Sequence, residues 1–252
     1  MIKDFNTYIN EGLFDRNQSE FVIRKTDKGV EDVFVPRTKE ELFDYVYNRI
    51  AAEQKKENGT YPNMDFNEID ISKLESSDLA FLFNGSSINP DISSWNLKTI
   101  PYKFFYNNIS IKEFNIPDSV TMIESYAFYG CNQLTSIIIP DSVTRIAPCA
   151  FSDCHGLASV SINSNSITRI EPHVFEDCWN LTSIKIPDGV NDISYHAFYD
   201  CRSLTSVIIP DSVSSIGDWA FYGCAKLKEV TIPIECTFCN NSFPAECNVI
   251  RK

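Results

Sequence analysis

The stretch "IPDSVTRIAPCAFSDCHGLASVSI", Ile139 to Ile162, and its counterpart "IPDSVSSIGDWAFYGCAKLKEVTIP", Ile209 to Pro233, decide how this chain folds. The string "IPDSV" begins at Ile116, Ile139 and Ile209, and "IPDGV" begins at Ile186. The steps from Ile116 to Ile139 and from Ile186 to Ile209 are both 23 residues. A missing copy falls at Ile162 in "SINSNSI", where one extra residue makes that unit 24 long. Other columns keep the register: Phe128, Phe151, Phe175, Phe198 and Phe221; Leu134, Leu157, Leu181, Leu204 and Leu227; Ile137, Val160, Ile184, Val207 and Val230. Cysteines recur likewise at Cys131, Cys154, Cys178, Cys201, Cys224 and Cys247. Apolar positions repeating at a fixed interval make each unit one coil of a solenoid, unable to bury its inward side chains without a neighbour.

Within a coil, "LTSIIIP" (Leu134 to Pro140) places Leu134, Ile137 and Ile139 at the spacing of a short strand whose alternate side chains enter the core. Pro140, Pro187, Pro210 and Pro233 stop it, and Asp after Pro suits a turn. Val143 and Ile146 then return the chain to the core before "AF" and "C" close the coil. Strands of successive coils are expected to stack as a parallel sheet, about 4.8 Å per rung. Backward in the same frame, Ile100, Phe105, Ile111, Phe114 and Ile116 form a degenerate first coil. Further back, "DIS" recurs at Asp70 and Asp91, a step of 21, and reads as one or two divergent coils.

The pattern "IPDSVTSIxxxAFxxCxxLxxIxIP", visible in the two stretches quoted first, resembles the BspA-like leucine-rich repeat family, also called the Treponema type. The resemblance covers roughly residues 98 to 235. The segment "FNGSSINPDISSWNLKTI" also looks like the "FNGDISSWD" repeats of bacterial surface proteins in the same superfamily. The resemblance implies an α/β-type solenoid dominated by β: a right-handed leucine-rich repeat solenoid with a parallel sheet. It further implies protein binding, adhesion or surface recognition without catalysis. Members of the family are often exported.

Residues 1–66 have a different texture. "EFVIRKTDKGVEDVFVP" predicts two strands, Glu20 to Lys25 and Glu31 to Val35, around a turn with Asp27 and Gly29. Thr38 followed by Glu41 is a capping box, and Leu42, Phe43, Val46, Tyr47, Ile50 and Ala51 form one apolar helix face. The polar run "EQKKENGTYPN" should end that helix. The expected organisation is a small ββα capping or docking module over 1–66, divergent leading repeats over 67–97, and BspA-like repeats with a C-terminal capping coil over 98–252. A cap is needed because a solenoid's first coil otherwise exposes its apolar end. The opening "FNTYINEGLFDRN" is similar to the starts of proteins from large tailed phages.

Of 252 residues, 22 are Lys or Arg and 34 Asp or Glu, a formal net charge of -12. That balance argues against a nucleic-acid partner, because neutralising phosphates needs a basic stripe and none occurs. No run approaches the roughly 18 apolar residues of a membrane span. The start "MIKDFNTYINEGLFDRNQ" carries Asp4 and Asn6 and no apolar stretch of signal-peptide length. The expected location is therefore the cytoplasm, with a virion or cell surface as the alternative.

Cys236 and Cys239 form a C-x-x-C spacing of the kind that holds zinc or does redox chemistry. Register argues otherwise, since Cys236 lies 23 after Val213 and Cys239 lies 23 after Ile216, both apolar slots. Free buried thiols are expected, and a column of six cysteines suits a reducing compartment better than a disulfide framework. His173 and His196 share a column with Cys149 and Trp219. A Cys149, His173, His196 metal ladder is conceivable there, but metal sites need three or four oriented ligands, so an exposed turn column is the reading and no metal is expected. Asp153, Asp177 and Asp200 align with Gly130 and Gly223, which points to turn geometry rather than Ca²⁺. No P-loop, G-x-G-x-x-G, H-E-x-x-H or G-x-S-x-G string occurs. No catalytic residue and no cofactor are expected.

The partner sought is a protein, with a glycan as a further possibility. On each strand the residues between inward ones face out. These columns are Ser136, Ser159, Ser183, Ser206 and Glu229; Thr135, Ala158, Thr182, Thr205 and Lys228; and Ile138, Ser161, Lys185, Ile208 and Thr231. Small hydroxyl residues make a flat floor for an extended partner, and Ile138 and Ile208 are apolar residues a lone chain gains little from displaying. On the turns, Trp179, Tyr199, Trp219 and Tyr222 offer an aromatic patch of the kind enriched at interfaces and sugar sites.

Overall fold

The computed structural model of the chain describes residues 20–26, 29–54, 63–67 and 69–252. The "FNTYINEGLFDRN" opening, Asp27 and the stretch after Gln54 up to residue 62 lie outside them. The described residues form two compact units, one of those up to Leu79 with Ile88–Asn96, the other of Ala80–Ser87 with Leu97–Lys252.

In the first unit, β1 (Glu20–Thr26) and β2 (Gly29–Val35) pair antiparallel as the alternation predicts. Helix α1 (Lys39–Gln54) follows. The Glu41 amide donates to Thr38 Oγ1 at 3.3 Å, so Thr38 is the cap. The reciprocal bond differs from a standard capping box: Glu41 accepts from the Arg37 amide at 2.8 Å. Leu42, Val46 and Ile50 are buried, whereas Tyr47 and Ala51 are exposed. The helix rolls so that Tyr45, not Tyr47, meets the core, stacking on Phe34 at 4.4 Å. Two three-residue strands, β3 (Asn63–Asp65) and β4 (Asn89–Asp91), pair in parallel with Asp65 opposite Asp91. The repeated "DIS" is thus a local resemblance: Asp70 and Asp91 each accept the amide two residues on, while the rung partner of Asp91 is Asp65. Trp95 is buried and donates its indole N–H to the Phe66 carbonyl at 3.0 Å.

The second unit is a parallel-sheet solenoid. Its longer strands, Glu113–Asn115, Ser136–Ile139, Ser159–Ile162, Ser183–Lys185 and Ser206–Ile208, form one parallel sheet in sequence order. Glu229–Ile232 pairs in parallel with Asn248–Arg251 in the last coil. Two-residue strands make further parallel sheets, one from Thr99–Ile100, Met122–Ile123 and Arg145–Ile146, the other from Arg169–Ile170, Asp192–Ile193, Ser215–Ile216 and Thr237–Phe238. The break between these two sheets falls after Ile146, in the coil that carries the extra residue, where Ser164 is buried and Val160 and Ile162 are half-buried.

The core is a set of files. Phe128, Phe151, Phe175, Phe198 and Phe221 are fully buried and stack ring on ring at 5.0 to 5.6 Å. The file continues backward through Phe105 to Phe83 and forward to Phe243. Beside it, Cys131, Cys154, Cys178, Cys201 and Cys224 are buried free thiols. Each donates to the carbonyl of the phenylalanine one coil back, for example Cys154 to Phe128 at 3.0 Å and Cys201 to Phe175 at 3.2 Å. Asn108 holds the same slot in the first coil, accepting the Ser110 and Ile111 amides and donating to Ser86 Oγ at 2.7 Å. Burial pushes the Cys154 thiol up to about 12 and raises Cys131, Cys178 and Cys201 well above the ordinary thiol range.

Candidate recognition site

Two surfaces of the solenoid carry the residues singled out above. On the sheet, Ser159, Ser161, Ser183, Lys185 and Ser206 are exposed and Ser136 is half-buried. The register sets them in straight columns, Ser136 beside Ser159, Ser159 beside Ser183 and Ser183 beside Ser206. Ile138 and Ile208 stand 60% and 58% exposed in the column shared with Ser161 and Lys185. The adjoining threonines have a structural duty the residue pattern did not reveal: Thr135, Thr182 and Thr205 each donate a hydroxyl to the carbonyl one coil back, at 3.0 to 3.3 Å.

The turn edge is built on left-handed backbone. Lys103, Tyr126, Cys149, His173, His196 and Trp219 form one column at positive φ, and Asn107, Gly130, Asp153, Asp177, Asp200 and Gly223 form a second. The Asp and Gly column is therefore a turn requirement. The predicted aromatic patch divides in two. Tyr199 stacks on Tyr222 at 5.6 Å, and His196 lies 4.8 Å from Tyr199 and 5.3 Å from Trp219. Trp179 belongs to another ladder, between His155 at 3.5 Å and the Arg202 guanidinium at 4.4 Å, with its indole N–H donated to Asp177. Trp219 and Tyr222 are nearly half exposed.

A second aromatic group was missed from sequence. Tyr102, Tyr106 and Tyr126 surround Lys103, whose ammonium lies 4.8 to 5.4 Å from their ring centroids, and Tyr129 stacks on Tyr106 at 4.9 Å. The signal was present, since Tyr106 and Tyr129 precede Tyr199 and Tyr222 in the same column. Cys236 is buried as its register predicts, but Cys239 is exposed, correcting its assignment to a core slot. The last coil is one residue short, so Phe238 pairs with Ile216 and Cys239 is turned outward.

The family model described as the BspA type leucine rich repeat region matches residues 98–228 and 168–251, in 6 copies. The chain belongs to the BspA-type leucine-rich repeat family. Solved leucine-rich repeat proteins have a similar fold. One from Bacteroides ovatus is 20% identical, with a TM-score of 0.57, over 91% of this chain and 58% of its own. One from Eubacterium ventriosum is also 20% identical, with a TM-score of 0.55, over 75% of this chain and 55% of its own. A leucine-rich cell surface protein of Faecalibacterium prausnitzii is 28% identical, with a TM-score of 0.39, over 60% of this chain and 49% of its own. The BspA-type chain thus spans about half of the length of these relatives. Among the curated proteins nothing matches it. Among the described residues, no helix of the BspA-type protein is long and apolar enough to cross a membrane.

Proposed function

We propose that the solenoid is a non-catalytic recognition scaffold that binds a protein partner across its longer-strand sheet. The observation that carries this is the pair Ile138 and Ile208, each more than half exposed on a file of otherwise small or polar residues. An extended segment laid across the coils would cover both isoleucines and meet serine hydroxyls between them. Lys185, between the two, would favour an acidic group at the centre of that segment. Changing Ser159 and Ser183 to Arg should abolish capture of a protein partner while the melting temperature holds. Undiminished capture by that variant would move the site elsewhere.

A second reading, recognition of a glycan on a cell or particle surface, is favoured by the turn edge, where His196, Tyr199, Tyr222 and Trp219 cluster. Aromatic rings of this kind present apolar faces with a polar rim, as sugar sites do. Retardation of the chain in polysaccharide-containing gels, lost on Trp219→Ala, would favour it over the sheet.

A further inference from the structure

We propose that His173, Glu176 and His196 form a binding site for a divalent transition metal of the zinc class on the turn edge. The column of Cys149, His173 and His196 supplies two imidazoles but no third oriented ligand. The structure supplies it from a different column: Glu176, three residues after His173, reaches back between the two rings. His173 Nδ1 lies 3.0 Å from Glu176 Oε2, and His196 Nδ1 lies 3.5 Å from Glu176 Oε1. One ligand atom from each residue lies within 4.8 Å of the others. Tetrahedral zinc with N and O donors at about 2.0–2.2 Å separates its ligands by roughly 3.3–3.6 Å, so small rotations of these side chains suffice.

Two further observations favour a metal over an ordinary ion pair. His196 Nδ1 is shielded from solvent, and Glu176 Oε1, 3.5 Å away, does not complete a hydrogen bond to it, a cost that a metal bond would remove. The scaffold is also rigid, because both histidines sit at positive φ with their amides bonded to the next coil, His173 to Tyr195 O and His196 to Asp218 O. Cys149, one coil earlier, is not among the side chains that converge there. That leaves the fourth position to water, as in a His₂Glu centre with an open place. The three side chains are each about a quarter exposed, so an ion can reach them. Bound metal would tie adjacent coils together at the edge that also carries Trp219 and Tyr199.

The test is titration of the whole purified chain, stripped with a chelator and dialysed, with Zn²⁺ against a chromophoric competitor, and with Co²⁺ followed by its visible spectrum. One equivalent should bind, with the intense bands of tetrahedral Co²⁺, and Zn²⁺ should raise the melting temperature. His173→Gln, His196→Gln and Glu176→Gln should each weaken binding at least about 10-fold, because even losing a group behind a ligand costs that much. The double variant His173→Gln/His196→Gln should keep its circular dichroism and lose the thermal shift. Absence of saturable binding, or full affinity retained in a folded double variant, overturns the proposal. Binding lost only in Cys236→Ser/Cys239→Ser overturns it equally, by moving the metal to the thiols.

Discussion

Phe198 shows what one position carries. Its ring is fully buried between Phe175 at 5.4 Å and Phe221 at 5.0 Å, so no neighbour can collapse into its place without breaking two stacks. Phe198→Ala should cost about 3 to 5 kcal/mol, read from denaturant unfolding. The cysteine slot obeys a different logic. A turn carbonyl at each phenylalanine needs a donor, and a thiol fills an apolar slot while supplying one. That explains the cysteine column, which sequence registers as periodicity without its cause; Asn108, in the first slot, instead accepts two amides and donates to Ser86 Oγ. The buried thiols should resist maleimide in the folded chain, while exposed Cys239 is labelled. Peptide mass spectrometry before and after denaturation checks this.

The elements were legible in proportion to how often they recur. Strands such as Ser136–Ile139 and Ser206–Ile208 could be placed because many coils vote on the same inward positions. Helix α1 occurs once, and there the apolar pattern alone chose the wrong tyrosine: Tyr45 packs on Phe34 while Tyr47 points away. Periodicity cannot choose between Tyr45 and Tyr47, which flank the Leu42, Val46 and Ile50 stripe on opposite sides. Its start was readable, because Thr38 has a defined chemical task. Thr38→Ala should cost about 1 kcal/mol, seen as a lower melting temperature of the whole chain. The last coil was misread for the opposite reason, since counting 23 residues onward assumes a length that the shortened turn before Phe238 does not keep. Of the candidate site, the sheet columns followed from alternation. The Lys103 tyrosine cage and the approach of Glu176 to two histidines did not, because each joins different columns across a turn.

At the scale of the molecule, the thiol file makes stability depend on alkaline pH. Cys131, Cys154, Cys178 and Cys201 are held protonated in the fold, whereas the unfolded chain releases these protons above about pH 9. Between that pH and the folded values, Cys154 near 12 among them, the unfolded state binds fewer protons, so stability falls as pH rises. Each thiol contributes up to about 1.4 kcal/mol per pH unit in that window. Unfolding should therefore begin abruptly in mild alkali, and a series of denaturant midpoints from pH 8 to pH 11 measures it; a flat profile would contradict four buried thiols in one file.

The left-handed turns have a consequence for anyone borrowing this coil as an engineering scaffold. Cys149, His173, His196 and Trp219 hold φ between 54° and 59° with full side chains attached, a conformation that costs roughly 1 kcal/mol apiece beyond what glycine would bear. An optimiser rewarded only for heat tolerance would replace each with glycine and obtain a sturdier, blanker rod. The uncomfortable corners are where this repeat keeps its imidazoles and its indole, so robustness and chemical character would be traded residue for residue.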